Sequence, residues 1–302
     1  MYEKLDFCPS CKHSTFDNRL IAKDHLVSSE SFAIVQCQMC DLLFTNPRPS
    51  DSRLPHYYES DNYVSHNDNK NSLLNFIYRM VRQVTLHQKL NSIRKYHASG
   101  SLLDFGAGTG AFLQKAGTHF DVIGVEPSSN AVNHAPVSIK ARIYENLASY
   151  KSEQKFDVIT LWHVLEHLPN LNTSFSDIKD RLSKKGHLFI AVPNPNSWDS
   201  KHYGAHWAGY DVPRHLYHFG KEAMGAFLKP YGLRILETKP MTFDAYEAED
   251  IDARVDAMDA QAQSGALSEL TGATYYAPTK DVTSLATLMS FISGGESYGG
   301  SL

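Results

Sequence analysis

The sequence predicts an α/β fold, a mostly parallel sheet with helices on both faces, preceded by a small cysteine-bearing module. Three observations predict it. From Ser101 onward, short apolar runs alternate with helical segments, and parallel neighbours need crossovers of that length. A glycine-rich turn, Gly106-Ala107-Gly108-Thr109-Gly110, follows the first of those runs. The 4 cysteines form two close pairs near the start of the chain.

The module comes first. Cys8-Pro9-Ser10-Cys11 and Cys37-Gln38-Met39-Cys40 have metal-ligand spacing, because each turn can aim two thiolates at one ion and two turns complete the S4 shell of zinc. In a reducing compartment disulfides are the poorer reading. Four thiolates leave no open coordination position, so Cys8, Cys11, Cys37 and Cys40 are assigned to a structural zinc ribbon. Short strands surround the two turns between Phe7 and Phe44, and Asn46-Pro47-Arg48-Pro49 makes a stiff exit. The expected domains are the ribbon at 1–48, a helical segment covering an acceptor at 49–98, the main α/β domain at 99–246 and an atypical segment at 247–302.

Between the module and the main domain, Tyr57 to His66 is rich in tyrosine and small polar residues. Tyr58 and Tyr63 are candidates to line a pocket, or else tyrosines packed on the core. Leu73, Leu74, Ile77, Met80, Val81, Val84, Leu86 and Leu90 then recur at mostly helical spacing, predicting one or two amphipathic helices over about 72–97. The main domain's strands are expected at Ser101 to Phe105, Val122 to Val125, Ile139 to Tyr144, Phe156 to Leu161 and His187 to Val192. A sixth is expected at Leu233 to Thr238. A seventh has only a weak candidate, Ala273 to Ala277.

Composition excludes several classes. The chain has 302 residues, 42% of them hydrophobic, enough for one ample core and an accessory module. A net charge of -4 provides no basic field, so no nucleic-acid partner is expected. No apolar run approaches the roughly 20 residues that cross a bilayer, and the first residues lack a secretory pattern. The expectation is a cytoplasmic protein with no membrane insertion. Nothing in the sequence sets its oligomeric state.

The glycine turn runs from a buried strand into a helix, and glycine permits both the tight turn and close backbone approach to a ligand. Glu126 ends the next strand, where a carboxylate can accept both hydroxyls of a ribose. Gly106-x-Gly108-x-x-Ala111 also satisfies the dinucleotide fingerprint, so an NAD-dependent oxidoreductase is the rival reading. Asp104 argues against it, since a carboxylate two residues before the first glycine suits an amino group and repels a pyrophosphate.

Further on stand Phe156-Asp157-Val158-Ile159, Trp162-His163-Val164-Leu165-Glu166-His167 and Lys185-Gly186-His187-Leu188. With the glycine turn and Glu126, this ordered set resembles the class I S-adenosylmethionine-dependent methyltransferases. The cysteine-bearing front end and Asp211-Val212-Pro213-Arg214-His215-Leu216 resemble a bacterial small-molecule subgroup of them. The resemblance covers about 101–238 and implies a Rossmann-like sheet and S-adenosylmethionine as cofactor. It places Asp104, Gly106, Ala107, Gly108, Gly110, Glu126, Leu161 and Trp162 around that cofactor. It also implies methyl transfer to an oxygen or carbon of a small molecule, for example a nucleotide-linked sugar or envelope precursor. The other alternative is a non-catalytic binding module.

Catalytic candidates are histidines, whose imidazoles titrate near neutral pH. His163, Glu166 and His167 would share one face if Trp162 to His167 were helical. A similar Glu-x-x-Glu-His face holds a divalent ion in some quinone O-methyltransferases, and His163 in place of the first carboxylate weakens that idea here. The second group follows an aromatic loop with Trp198, His202, Tyr203, His206 and Trp207. In it Tyr210, Asp211 and Arg214 are candidates to bind the acceptor, with His215 or His218 as base. The competing view is that Arg214 and Asp211 pair to fix the loop.

Overall fold

The structure, a computed structural model, describes residues 1–58 and 73–241. Tyr63, Ala273 to Ala277 and the expected segment at 247–302 lie outside them. The contacts form two units, Met1–Glu59 with Leu86–Leu236, and Ser60–Thr85 with Glu237–Leu302. In the second unit the described residues are the first half of one helix and 237–241, where Lys239 pairs with Glu237 at 3.1 Å. Everything below concerns the first unit.

Two short strands, β1 (Tyr2–Glu3) and β5 (Arg48–Pro49), pair antiparallel. Between them come β2 (Phe16–Lys23), β3 (Ser31–Cys37) and β4 (Leu43–Thr45). The helix α1 runs unbroken over Leu73–Arg94. The main sheet is built from β6 (Gly100–Phe105), β7 (Phe120–Val125), β8 (Ile143–Tyr144), β9 (Phe156–Trp162) and β10 (Leu182–Ala191). Between these strands lie α2 (Ala111–Ala116), α3 (Ser129–Asn133), α4 (Val137–Lys140) and α5 (Leu171–Asp180). Then follow α6 (Trp198–Tyr203), β11 (Tyr217–His218) and α7 (Lys221–Leu228).

The sheet order is β10-β9-β6-β7-β8, and every pairing is parallel. The chain leaves β6 toward β7 and β8, then returns to its other side for β9 and β10. The order therefore reverses at β6, which opens a crevice at the carboxyl ends of β6 and β9. This is the expected Rossmann-like α/β arrangement. Both faces are covered: Leu102, Val122 and Val158 pack with Leu90 and Ile93 of α1 and with Phe112 and Leu113 of α2. Their neighbours Leu103, Ile123 and Ile159 pack on the other side with Phe175 and Ile178 of α5 and Phe227 of α7. Successive strand residues point to opposite faces, so an unbroken apolar run is what a sheet buried on both sides requires.

The front end shares this core. Cys8, Val35, Cys37, Cys40, Leu42 and Phe44 belong to the same buried cluster as Leu103 and Phe156. Its antiparallel sheet has the order β11-β4-β3-β2, so its fourth strand comes from residues 217–218.

Two expected strands differ. The third is only Ile143–Tyr144, because Pro136 starts a helical turn whose carbonyl accepts from the N–H groups of Ile139 and Lys140. Leu233 to Thr238 is not a strand. Leu233 and Ile235 still pack on the core, but a strand needs a ladder partner. Among the described residues none pairs with this segment, and Leu236 stands 54% exposed.

Candidate active site

The glycine turn is shaped by three left-handed residues, with φ of 82° at Gly106, 53° at Gly108 and 73° at Gly110. Two of them are also packed: a Cβ on Gly106 would fall 2.2 Å from Val164 Cγ2, and one on Gly110 2.4 Å from Ile139 Cδ1. At Gly108 a Cβ would meet nothing within 4 Å among the described residues. There the absent side chain leaves bare backbone facing open space, as a closely approaching ligand requires. The N–H of Gly108 donates to Glu126 Oε2 at 2.8 Å and that of Ser128 to Oε1 at 2.8 Å, which orients the Glu126 carboxylate beside the turn.

Below the turn, Asp104 is buried and accepts a 2.6 Å hydrogen bond from Thr160 Oγ1. Burial pushes its carboxyl up to about 7, against the Thr160 hydrogen bond and the nearby charge of Lys89. Lys89 Nζ stands 5.0 Å from the Trp162 ring centroid, and Trp162 meets Phe112 edge-on at 5.4 Å. Ala107 is nearly buried. The side chain of Leu161 is wholly buried in the core cluster with Ile159, on the face of β9 opposite Trp162. Helical spacing puts Lys89 on the wet face of α1, but it is buried beside Trp162, and an inward threonine such as Thr160 carries no local signal.

The residues from His163 to His167 do not form the expected helix. His163 is left-handed, with φ 57°, and its N–H donates to the Ala191 carbonyl at 3.0 Å. Only Leu165–His167 makes a single 3-10 turn. Leu168 is extended, as the residue before Pro169 must tend to be. The side chains nevertheless converge. His163 Nδ1 lies 3.4 Å from Glu166 Oε1. Glu166 is wholly buried, and among the described residues neither carboxylate oxygen has a hydrogen-bond partner of good geometry. Burial alone would raise its carboxyl, but the imidazoles of His163, His167 and His215 hold it below the usual carboxylate range. His167 Nδ1 is 3.1 Å from both the Tyr58 hydroxyl and the Arg214 carbonyl. Its ring meets that of His215 edge-on at 4.6 Å. Burial, with the charge of His215, pushes His167 down to about 4.

Two assignments in the second group are corrected. Arg214 does not reach out for an acceptor. It is 2% exposed, with Nε donating to Asp211 Oδ2 at 3.0 Å, Nη2 to Asp211 Oδ1 at 2.6 Å and to Asp24 Oδ1 at 3.0 Å, and Nη1 to the Tyr57 carbonyl at 3.0 Å. Its guanidinium is consumed in fixing the loop, and Asp24, which looks like an ordinary turn residue in the sequence, is the unforeseen partner. His218 is likewise turned away from solvent: it sits in β11, 2% exposed, its Nε2 buried without a partner among the described residues, and burial pushes it down to about 3. Tyr210 is buried too, its hydroxyl 3.3 Å from Ser200 Oγ and its ring edge-on to His218. His215 stays near the surface of the cluster, with Nδ1 2.9 Å from the Gly209 carbonyl and Nε2 4.0 Å from Asp211 Oδ2.

The four cysteines converge on one another. Cys8 and Cys40 Sγ are 3.6 Å apart, Cys11 and Cys37 Sγ 3.5 Å apart, and all four lie within 4.8 Å of one another. Thiolates bound to one zinc at about 2.3 Å stand roughly 3.8 Å apart, so the quartet fits that ion. The two turns are built alike: Lys12 and Asp41 are both left-handed, and their N–H groups donate to the carbonyls of Cys8 and Cys37, each at 3.0 Å.

The described residues contain no helix long and apolar enough to cross a membrane. Among curated relatives, the ubiquinone biosynthesis O-methyltransferase of Glaesserella parasuis serovar 5 is 28% identical over 147 residues. The match covers 43% of this chain and 59% of the length of that relative. Among solved structures, magnesium protoporphyrin IX methyltransferase from Synechocystis PCC 6803 is 16% identical with a TM-score of 0.47, covering 63% of this chain and 92% of that one. The sugar N-methyltransferase KedS8 from Streptoalloteichus is 20% identical with a TM-score of 0.34, covering 44% and 60%. A family model described as a methyltransferase domain matches residues 78–238, more than half of the sequence and the whole of the main sheet, and the chain belongs to that family.

Proposed function

We propose that this chain transfers a methyl group from S-adenosylmethionine to an oxygen or carbon of a small-molecule acceptor. The observation that carries the reading is the turn at Gly108, bare backbone under open space, with Asp104 behind it and the oriented Glu126 carboxylate beside it. When bound, the cofactor supplies a methyl group that its sulfonium already makes electrophilic. Asp104 balances the amino group of the methionine part, Glu126 accepts the ribose hydroxyls, and Trp162 flanks the adenosyl end. The protein's work is then alignment, plus removal of the acceptor's proton. His163 takes that proton: its side chain is 36% exposed, whereas half-buried His167 is tied through Nδ1 to the Tyr58 hydroxyl and the Arg214 carbonyl and His218 is buried, and the ionised Glu166 beside Nδ1 stabilises the imidazolium that forms. The relative named for ubiquinone biosynthesis favours an oxygen acceptor. With Arg214 sealed in the core, its guanidinium is spent on Asp24, Asp211 and the Tyr57 carbonyl instead of on an acceptor. We also assign a structural zinc ion to Cys8, Cys11, Cys37 and Cys40, whose four thiolates leave no open position for the transfer chemistry.

Calorimetry with S-adenosylhomocysteine and with NAD tests the reading. Micromolar binding of the former and none of the latter is expected, and the reverse pattern overturns it. Asp104→Ala then abolishes methyl transfer to a cell extract, whereas a non-catalytic binding module would be indifferent to the change.

A further inference from the structure

We infer that the cysteine quartet is a redox-sensitive latch: a peroxide that reaches Cys11 joins it to Cys37, and the cross-link releases the loop carrying His215 from Glu166. The inference needs neither the methyl donor nor the acceptor, and it uses the zinc assignment only for the ion set free.

It starts from the thiols. Cys11 is exposed and the other three cysteines are buried, so an oxidant in solution meets Cys11 first. The Sγ of Cys11 lies 3.5 Å from that of Cys37, on the opposite turn. The Cys11 thiolate attacks one peroxide oxygen, the O–O bond breaks, and the sulfur becomes a sulfenic acid as hydroxide leaves. The Cys37 thiolate then displaces the sulfenic oxygen as a second hydroxide, and the S–S bond forms. Two protons from solvent turn both hydroxides into water. The two sulfurs have given two electrons to the peroxide, and neither keeps the negative charge with which a thiolate holds zinc.

Closure moves the second turn. A disulfide is about 2 Å long, so the two sulfurs approach by roughly 1.5 Å. The first turn is fixed to the main domain, because Asn172 Nδ2, in α5, donates to the Pro9 carbonyl at 2.6 Å. The second turn runs directly into β4. The N–H of Asp41 donates to the Cys37 carbonyl and that of Cys37 to the Leu42 carbonyl, each at 3.0 Å, and β4 begins at Leu43. At its far end β4 holds the loop: Thr45 donates to the Leu216 carbonyl through its N–H and to the His215 carbonyl through Oγ1, both at 3.1 Å. The N–H of Leu216 in turn donates to the Glu166 carbonyl at 2.8 Å. Each of these bonds tolerates only a few tenths of an ångström, so the displacement passes along β4 and parts the loop from Thr45 and Glu166. The glycine turn, Asp104 and Glu126 lie on or beside β6 and β7 of the other sheet and stay in place.

The full-length chain, reduced and loaded with zinc, is treated with hydrogen peroxide. Released zinc is captured by a chromogenic chelator, disulfides are mapped by mass spectrometry after digestion, and hydrogen exchange is followed at the amides of Thr45 and Leu216. The expected result is a Cys11–Cys37 cross-link that appears together with the released zinc, and exchange about tenfold faster at both amides. The amides of β6 and β7 keep their protection, and dithiothreitol with zinc reverses the change. The inference is overturned if peroxide leaves all four thiols free, if the first cross-link is any other than Cys11–Cys37, or if that cross-link forms without faster exchange at Leu216. Loss of protection throughout β6 and β7 overturns it as well, because the cross-link would then unfold the chain instead of releasing a loop. A chain that binds no S-adenosylhomocysteine sinks the proposed activity and leaves these readouts intact.

Discussion

Arg214 and Asp24 stand 190 positions apart in the chain and meet at 3.0 Å, with their side chains only 3% and 0% exposed. Asp24 comes from the turn after β2, where its carboxylate also accepts from the N–H groups of Leu26 and Ser28. Asp211 completes an ion triplet with one positive charge and two negative ones. Asp24 and Arg214 are each held in the charged state despite burial, Asp24 shifted down and Arg214 shifted up.

Removing the cation from such a triplet costs more than the pairing contributes, because two carboxylates are left buried and uncompensated. Arg214→Ala is expected to lower stability by about 3–5 kcal/mol. Arg214→Lys recovers only part of that, since an ammonium cannot donate in four directions within the plane of a guanidinium. Urea denaturation checks both, and a loss below about 1 kcal/mol for the alanine variant would show the triplet to be dispensable.

Asp104 gives a pH dependence. Its carboxyl lies near 7 in the folded chain without ligand, above its unfolded value. Its contribution to stability is therefore complete below about pH 4 and is lost as pH rises through 7. A ligand's ammonium prefers the ionised form, so affinity runs the opposite way. S-adenosylhomocysteine should bind about tenfold more tightly at pH 8 than at pH 6. Asp104→Asn should flatten both profiles, as followed by calorimetry and thermal melts at the two pH values.

The three glycines of the turn separate conformation from packing. Gly108→Ala meets only the left-handed φ penalty, roughly 1–2 kcal/mol, and fills the space over the backbone. Gly106→Ala adds a clash at 2.2 Å with Val164 Cγ2, within the segment leading to Glu166. The expectation is that Gly108→Ala melts within a few degrees of wild type yet loses ligand affinity. Gly106→Ala loses both stability and affinity.

Metal analysis tests the ribbon. Protein purified under reducing conditions should carry one tightly held zinc ion per chain at the cysteines. Cys40→Ser should release it and lower the melting temperature. An unchanged zinc content in that variant would place the ion elsewhere.

Much of this was legible in the sequence, because it rests on local rules. The apolar runs at Leu102 and Val158 place strands, the three glycines mark a left-handed turn, and the spacing of the cysteines brings the thiols together. What escaped depends on tertiary partners. Arg214 and an anion-binding arginine look alike until Asp24 and Tyr57 arrive from the front end. His163 to His167 has the spacing of a helix face, but Pro169 and the left-handed His163 make it a single turn. Leu233 to Thr238 alternates as a strand should, and alternation alone cannot supply a ladder partner.

The cysteine-bearing sheet borrows Tyr217 and His218 as its last strand. This makes the front end a poor candidate for a removable cassette. Trimming the first fifty residues would strip β11 of its ladder with β4, leave Arg214 without its Asp24 counter-ion and loosen the loop that carries His215. A chimera between this chain and a relative therefore has to exchange residues 1–58 and 211–219 together, as one interlocked piece taken from two distant stretches of sequence.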